Sequence, residues 1–185
     1  NTLALNQVSM SVMQGDIYGF IGENGAGKTT MIRLLTGLAE PTTGKIALFG
    51  ESNKKLAKQR ERIGCIIESP SLYLDMTAYE NLEVQRLQRG IPGKGCIDNA
   101  LALVGLKDTG KKKAKDFSLG MRQRLALAIA LLGNPEFLVL DEPINGLDPT
   151  GIIELRNLLK RLNKERGITI LISSHILTEL HQLAN

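Results

Sequence analysis

The chain has 185 residues, a formal net charge of +4, and 43% hydrophobic and 23% charged residues. This composition is that of an ordinary globular domain and excludes a disordered or collagen-like chain. Aromatic residues make up only 4% of the chain, with no tryptophan, which argues against modules that stack bases, so no nucleic-acid partner is expected. The two cysteines, Cys65 and Cys96, lack CxxC spacing, which argues against a zinc site, and Cys65 is expected to be buried. No run reaches the roughly 18 apolar residues that span a bilayer.

Short apolar runs alternate with stretches of helical spacing along most of the chain. Strands are predicted at residues 16–21, 45–49, 63–67, 137–140 and 168–172, and helices at 28–38, 151–164 and 176–184. Nearly all-apolar runs such as 137–140 are typical of strands buried on both faces of a parallel sheet. The alternation therefore predicts an α/β fold.

The middle of the chain has a different pattern, without strand signals. Thr77 and Glu80 fit a capping box that predicts a helix to about residue 89. The stretch 90–95 contains Pro92 and ends that helix, and a further helix is predicted at about 97–104. We interpret residues 76–132 as a helical subdomain inserted into a single domain spanning 1–185. Its α/β core would then consist of residues 1–75 and 133–185.

A glycine-rich loop lies between the first predicted strand and the first predicted helix. Residues 22–29, GENGAGKT, match G-x-x-x-x-G-K-[ST] in the strand–loop–helix context that the motif requires. Its amides and the helix N-terminus form an anion cradle, Lys28 would pair with the β- and γ-phosphates, and the Thr29 hydroxyl would hold Mg²⁺. The predicted ATP-binding residues are Gly22, Glu23, Asn24, Gly25, Ala26, Gly27, Lys28, Thr29 and Thr30.

Two carboxylates, Asp141 and Glu142, follow the apolar strand 137–140. Because ligands of α/β sheets bind at the carboxyl ends of strands, Asp141 is placed to hold Mg²⁺. Glu142 is placed to polarise the attacking water as a general base. The pair thus predicts hydrolysis of a bound nucleotide.

Taken in order, these motifs resemble the nucleotide-binding domain of ABC transporters along essentially the whole chain. The family's signature is similar to residues 118–124, SLGMRQR, which include Ser118, Leu119, Gly120 and Met121. Residues 145–149 with Asp148 are similar to the D-loop, His175 to the switch histidine, and residues 75–82 to the opening of the helical subdomain. The resemblance implies a P-loop NTPase (RecA-like) core with a small antiparallel β subdomain and an inserted α-helical subdomain that carries the signature.

The resemblance also implies a mechanism and partners. Two ATP-binding domains pair head to tail, as a homodimer or a heterodimer, with each ATP between the phosphate loop of one and the signature of the other. Glu142 and His175 would be catalytic. ATP would close the pair and hydrolysis would release it, driving a separate integral membrane permease. The expected place of the chain is cytoplasmic, on the inner face of the cell membrane through that permease.

Some positions depart from the family pattern. Glu68 stands where the metal-facing glutamine is usual, and it is predicted to be the third Mg²⁺ ligand beside Thr29 and Asp141. This glutamate, followed by Ser69 and Pro70, and the SLGM form of the signature are similar to the branch that exports bacitracin or lantibiotic peptides. Leu119 and Met121 replace the usual glycine and glutamine. No aromatic residue near the start can be assigned to adenine stacking, and in the family further strands normally follow the switch histidine, so the chain is expected to be truncated at both ends.

Two other functions remain as alternatives. One is an ABC ATPase of a soluble system, of the translation-factor or DNA-repair type. The other is a nucleotide-binding module that does not hydrolyse ATP, against which Glu142 argues. His181 has no motif around it and is interpreted as a surface residue.

Overall fold

A computed structural model describes residues 3–68 and 71–183. The strands are β1 (Ile17–Ile21), β2 (Ala47–Leu48), β3 (Glu51–Ser52), β4 (Ile63–Ile66), β5 (Phe137–Asp141) and β6 (Thr169–Ser174). The helices are α1 (Lys28–Thr36), α2 (Leu56–Arg60), α3 (Ala78–Gln88), α4 (Gly95–Leu103), α5 (Leu119–Leu131), α6 (Pro149–Arg166) and α7 (Leu177–His181).

Four strands form one parallel sheet in the order β1-β6-β5-β4. Alternate residues of β5 point to opposite faces of the sheet and join different hydrophobic clusters. Leu138 and Leu140 join a large cluster that includes residues of α3 to α6. Phe137 and Val139 join a smaller cluster with Ile32 of α1. Helices therefore cover both faces of the sheet, and the predicted α/β fold is confirmed.

Backbone conformation explains where the elements differ from the sequence prediction. Helix α1 ends at Thr36 rather than at residue 38 because Gly37 adopts a left-handed cap with φ 82°. The predicted strand at 45–49 is limited to β2, since Phe49 and Gly50 have φ of 52° and 78° and turn the chain into β3. Two consecutive positive φ angles define a tight hairpin turn, which the sequence did not predict because Phe is rare there.

The middle of the chain is helical, as predicted. Helices α3, α4 and α5 contact one another, and the capping box forms, with the Thr77 amide donating to Glu80 Oε2 at 2.7 Å and the Glu80 amide to Thr77 Oγ1 at 3.2 Å. Helix α5 also packs on β4 of the sheet. A methyl group at Gly64 would lie 2.2 Å from the Ala130 carbonyl oxygen, so only glycine permits this approach.

Several smaller predictions are corrected. Cys65 is exposed rather than buried, because it lies on the opposite face of edge strand β4 from Ile66, which joins the large core cluster. Helix α2 and strand β3 were not predicted. Helix α6 begins at Pro149 instead of residue 151, after Asp148 as its cap. His181 is exposed, as expected, and residue 184 of the last predicted helix lies outside the described residues. No helix in the described ranges is long and apolar enough to cross a membrane.

Candidate functional site

The glycine-rich loop connects the carboxyl end of β1 with the start of α1. The Gly22 amide donates to the Ser174 carbonyl oxygen at the end of β6, over 3.4 Å. Gly27 caps α1 with φ 92°, and a methyl group there would lie 2.5 Å from the Ala4 carbonyl oxygen. Glycine is therefore required at this position both by the backbone angle and by the close approach of residue 4.

Lys28 is buried at the base of this loop, with 6% of its side chain exposed. Its Nζ donates to the carbonyl oxygens of Gly22 at 2.6 Å and Glu23 at 3.1 Å. It also lies 3.3 Å from Glu142 Oε1. A buried ammonium group that is held by two neutral carbonyls and one carboxylate is a strong attractor for further anionic oxygens.

Asp141, at the end of β5, connects the loop with the neighbouring strand. Thr29 Oγ1 donates to Asp141 Oδ2 at 2.7 Å, and Ser173 Oγ donates to Asp141 Oδ1 at 2.5 Å. Ser173 Oγ in turn accepts the Glu142 amide at 2.9 Å. The Asp141 carboxylate is 2% exposed and is fixed in orientation by both hydroxyls.

Glu142 follows directly and turns away from the strand, with a left-handed φ of 48°. His175 Nδ1 lies 2.8 Å from Glu142 Oε2. An ionised Glu142 carboxylate can only accept a hydrogen bond, in which case Nδ1 would be the donor. Glu142 Oε1 is buried and accepts no hydrogen bond in the described part of the chain, but Lys28 Nζ lies 3.3 Å away from it. Left-handed angles at residues other than glycine are concentrated at functional sites.

A cavity of about 220 Å³ lies among these groups. Its lining residues are Ala4, Asn24, Gly25, Gly27, Lys28, Thr29, Thr30 and Glu142. Binding pockets for whole small molecules usually measure roughly 300–1,000 Å³, so this cavity suits part of a ligand, such as a phosphate chain. The size of the cavity and the positive charge of Lys28 fit an anionic phosphate group.

The residues present also fit a magnesium ion. Mg²⁺ takes oxygen ligands and is usually bound through one or two carboxylates together with substrate phosphates and waters. Thr29 Oγ1 and Asp141 Oδ2 are such oxygens and already lie 2.7 Å apart. Among residues 3–68 and 71–183, no group of three or more His, Cys, Asp or Glu could hold a metal. A cation here would therefore need oxygens from the nucleotide or from water.

A larger groove of about 1190 Å³ lies elsewhere. It is lined by the first residues of β5 and β6, Phe137 and Thr169, and by Phe49 and Arg62. This is the amino end of the strands, opposite to the edge that carries Asp141 and Glu142. The chemistry of the smaller cavity, rather than cavity size, identifies the candidate site.

The structure does not bring all the predicted site residues together. Glu68 forms an ion pair with Arg33 of α1 instead of contacting Thr29 or Asp141. Ser118 caps α5, accepting the Met121 amide at 3.2 Å, and Asp148 caps α6, accepting the Gly151 amide at 3.2 Å. Leu119 is 48% exposed. The roles of these residues in binding ATP across a pair of domains stay predictions.

Sequence reasoning missed Ser173 as part of the site. Its hydroxyl is fully buried and links the two acidic residues through the bonds just described. The available signal was a pair of hydroxyl residues, 173 and 174, at the end of a strand predicted to be buried on both faces.

The fold and this arrangement of residues define a P-loop nucleotide-binding cassette. Residues 5–145 match the family model described as ABC transporter, and the chain belongs to this family.

Its relatives include ATP-binding proteins of bacitracin and lantibiotic transport. The bacitracin transport ATP-binding protein BcrA of Bacillus licheniformis is 54% identical over 183 residues, which are 98% of this chain and 60% of that protein. The lantibiotic transport ATP-binding protein SrtF of Streptococcus pyogenes is 45% identical over 181 residues, which cover 98% of this chain and 77% of SrtF. The chain thus spans about 60% of the length of BcrA. These similarities confirm the resemblance to the bacitracin and lantibiotic branch. Ser69 and Pro70 of the Glu-Ser-Pro motif lie outside the residues that the structure describes.

A solved structure supports the fold assignment. The dimeric, post-hydrolysis structure of the ATP-binding cassette MJ0796 bound to ADP and Pi superposes with a TM-score of 0.83. It is 26% identical in sequence, and the match covers 97% of this chain and 83% of that one. The P-loop NTPase fold expected from the motifs is confirmed.

Proposed function

We propose that this chain is the ATP-binding and ATP-hydrolysing subunit of an ABC transporter that exports a peptide antibiotic through a separate membrane subunit. The observation that carries the proposal is the contact between the phosphate loop and the acidic strand end. There Lys28, Glu142 and His175 form a continuous chain of contacts of 3.3 Å and 2.8 Å. Thr29 and Asp141 lie on the adjoining side.

Each residue has a distinct task in this proposal. Lys28 and the amides of residues 22–30 bind the phosphates, and Lys28 exchanges its contact with Glu142 for phosphate oxygens. Thr29 and Asp141 would hold Mg²⁺, which would neutralise charge on the phosphates and orient them. That exchange frees Glu142 Oε1 to accept a proton from the attacking water. His175 keeps the other carboxylate oxygen in place.

The proposal also covers organisation and partners. Residues 76–132 act as the helical subdomain, while 1–75 and 133–185 form the ATP-binding core. Support for a second ATP-binding domain comes from the dimeric state of MJ0796, with Ser118, Leu119, Gly120, Met121 and Asp148 facing the partner domain's nucleotide. The relatives' names, bacitracin and lantibiotic transport ATP-binding proteins, favour transport over a soluble system. The chain would then work in the cytoplasm, against the inner face of the membrane, bound to a permease.

The first experiment is ATP hydrolysis by the Glu142→Gln variant. Removing a general base is expected to lower the rate of hydrolysis by about 10²- to 10⁴-fold. Binding of a fluorescent ATP analogue should be retained, because the amide keeps the shape of the side chain while removing a negative charge near the phosphates. Lys28→Ala serves as the contrasting variant and should lose nucleotide binding itself.

Two results would contradict the proposal. If the unmodified protein binds ATP and Mg²⁺ but does not hydrolyse ATP under any condition that supports binding, the non-catalytic module is the better description. If Glu142→Gln hydrolyses ATP at the original rate, Glu142 is not the general base.

A further inference from the structure

An ion pair lies beside the candidate site but outside the contacts described so far. Arg33, in the last turn of α1, donates through Nη2 to Glu68 Oε1. Both side chains are solvent-exposed, with 48% and 60% of their surfaces accessible. Glu68 has a left-handed φ of 61°, a conformation that residues other than glycine adopt at a cost and that is concentrated at switch regions.

Helix geometry places this ion pair close to the predicted metal ligands. Thr29 and Arg33 are four residues apart on α1, so they lie on the same face, with Cβ atoms about 6 Å apart. Side chains of an α-helix also tilt toward its N-terminus, which directs Arg33 toward the turn that contains Thr29. The Arg33–Glu68 pair therefore lies on the face of α1 that also carries Thr29, whose hydroxyl donates to Asp141.

The neighbouring charges determine whether the Glu68 carboxylate is more stable beside Arg33 or beside Thr29 and Asp141. Without a cation, the Thr29 end of this face presents the carboxylates of Asp141 and Glu142, with Lys28 3.3 Å from Glu142. A third carboxylate is repelled there, whereas the Arg33 guanidinium attracts it. A divalent cation at Thr29 and Asp141 would reverse this preference.

We infer that Arg33 is a positioning residue that competes with the divalent cation for the Glu68 carboxylate. This inference rests on the proposed function, since it concerns the cation that accompanies ATP. The competition requires the carboxylate of Glu68, because a neutral glutamine at this position would form no ion pair with Arg33. The same pair would thereby keep Glu68 out of the site when no cation is bound.

The competition is measurable because an exposed ion pair is weak. Pairs of this kind change an equilibrium by about two- to five-fold. Replacing Arg33 with Gln should therefore lower the Mg²⁺ concentration that gives half-maximal binding of a fluorescent ATP analogue by about two- to five-fold. Arg33→Lys, which keeps the charge, should retain most of the original Mg²⁺ requirement.

A double-mutant cycle tests the mechanism. In the Glu68→Gln protein, Arg33→Gln should leave the Mg²⁺ requirement unchanged, because there is no carboxylate left to compete for. Thermal unfolding without nucleotide should be nearly equal in all four proteins, since the ion pair is exposed. Binding of the analogue, rather than hydrolysis, is the measured quantity.

The outcomes separate this inference from the proposed function. An unchanged or increased Mg²⁺ requirement in Arg33→Gln, or the same decrease in the Glu68→Gln background, would overturn the inference while ATP binding stands. A protein that binds no ATP analogue with or without Mg²⁺ would overturn both.

Discussion

Ser173 supports both acidic residues of the candidate site with one hydroxyl group. It donates to Asp141 Oδ1 at 2.5 Å and accepts the Glu142 amide at 2.9 Å, in a position with no solvent exposure. A buried hydroxyl that satisfies two partners is costly to remove, because both partners then lose a hydrogen bond without gaining water. The strand end thus keeps the carboxylate of Asp141 oriented before any ligand binds.

At this scale we expect Ser173→Ala to lower the free energy of unfolding by about 1–3 kcal/mol. Ser9→Ala, at an exposed position, should change it by less than about 0.5 kcal/mol. Urea denaturation of the three proteins measures both values. Equal free energies of unfolding for Ser173→Ala and the unmodified protein would show that the Ser173 hydroxyl does not stabilise the fold.

At the scale of elements, the contact between α5 and β4 depends on one glycine. An added methyl at Gly64 would lie 2.2 Å from the Ala130 carbonyl oxygen and 2.9 Å from Leu138 Cδ2. Because the carbonyl belongs to helix α5, it cannot move without shifting the helix. This contact attaches the helix that begins with the signature residues to the parallel sheet.

Gly64→Ala is therefore expected to destabilise the protein by about 3 kcal/mol, at the upper end of overpacking effects. Gly95→Ala is the matched control, since Gly95 is the first residue of α4 and a methyl group there meets nothing within 4 Å. The control should be neutral or stabilising by up to about 1 kcal/mol. Differential scanning calorimetry distinguishes the two, and equal effects would refute the assigned close contact.

The hydrogen bonds at the N-terminus of α3 predict that the stability of the fold depends on pH. The Thr77 amide and the Thr77 hydroxyl both donate to the Glu80 carboxylate. These two hydrogen bonds, of which the one from the amide has the larger effect, hold the pKa of Glu80 below the usual value of 4.5. A pKa that is lower in the folded than in the unfolded state stabilises the fold above the unfolded-state pKa. That stabilisation is lost as the pH falls through the folded-state pKa.

An NMR titration of the Glu80 carboxyl carbon should give a midpoint below 4.5. In Thr77→Ala the midpoint should rise part of the way back, because the hydroxyl is lost while the backbone amide remains. A midpoint in the unmodified protein at or above the usual glutamate value would show that the capping box does not form in solution.

At the scale of the whole molecule, the signature begins with two exposed residues, Ser118 and Leu119, while Gly120 and Met121 are half-buried. Leu119 is 48% exposed, and a methyl group at Gly120 would approach only Leu147 Cδ2, at 3.9 Å. Substitution at Gly120 is therefore tolerated in a single chain. If the signature binds the partner domain's nucleotide, the same substitution should disrupt the pair.

We expect Glu142→Gln to shift from monomer to dimer mass in light scattering when ATP and Mg²⁺ are added. Adding Gly120→Asp should abolish the dimer by bringing a negative charge to the phosphates, while each chain still binds ATP and melts at nearly the same temperature. Dimers that persist in the double variant would place the nucleotide contact elsewhere.

The sequence by itself determined the parallel sheet, the phosphate loop and the acidic strand end. Each of these is indicated by a pattern within a short stretch of the chain, such as the apolar run 137–140 or the spacing of Gly22 and Lys28. Such local patterns indicate backbone conformation without knowledge of the rest of the fold. The family then followed from the order of the motifs.

Only the tertiary structure decided how distant residues pair. It joins Ser173 to Asp141 and Arg33 to Glu68, and it exposes Cys65 on an edge strand. These contacts depend on strand order, on which faces the helices cover, and on charges that approach across the sheet edge. None of them is a function of local spacing, because residues far apart in sequence meet only after the sheet and its helices have assembled.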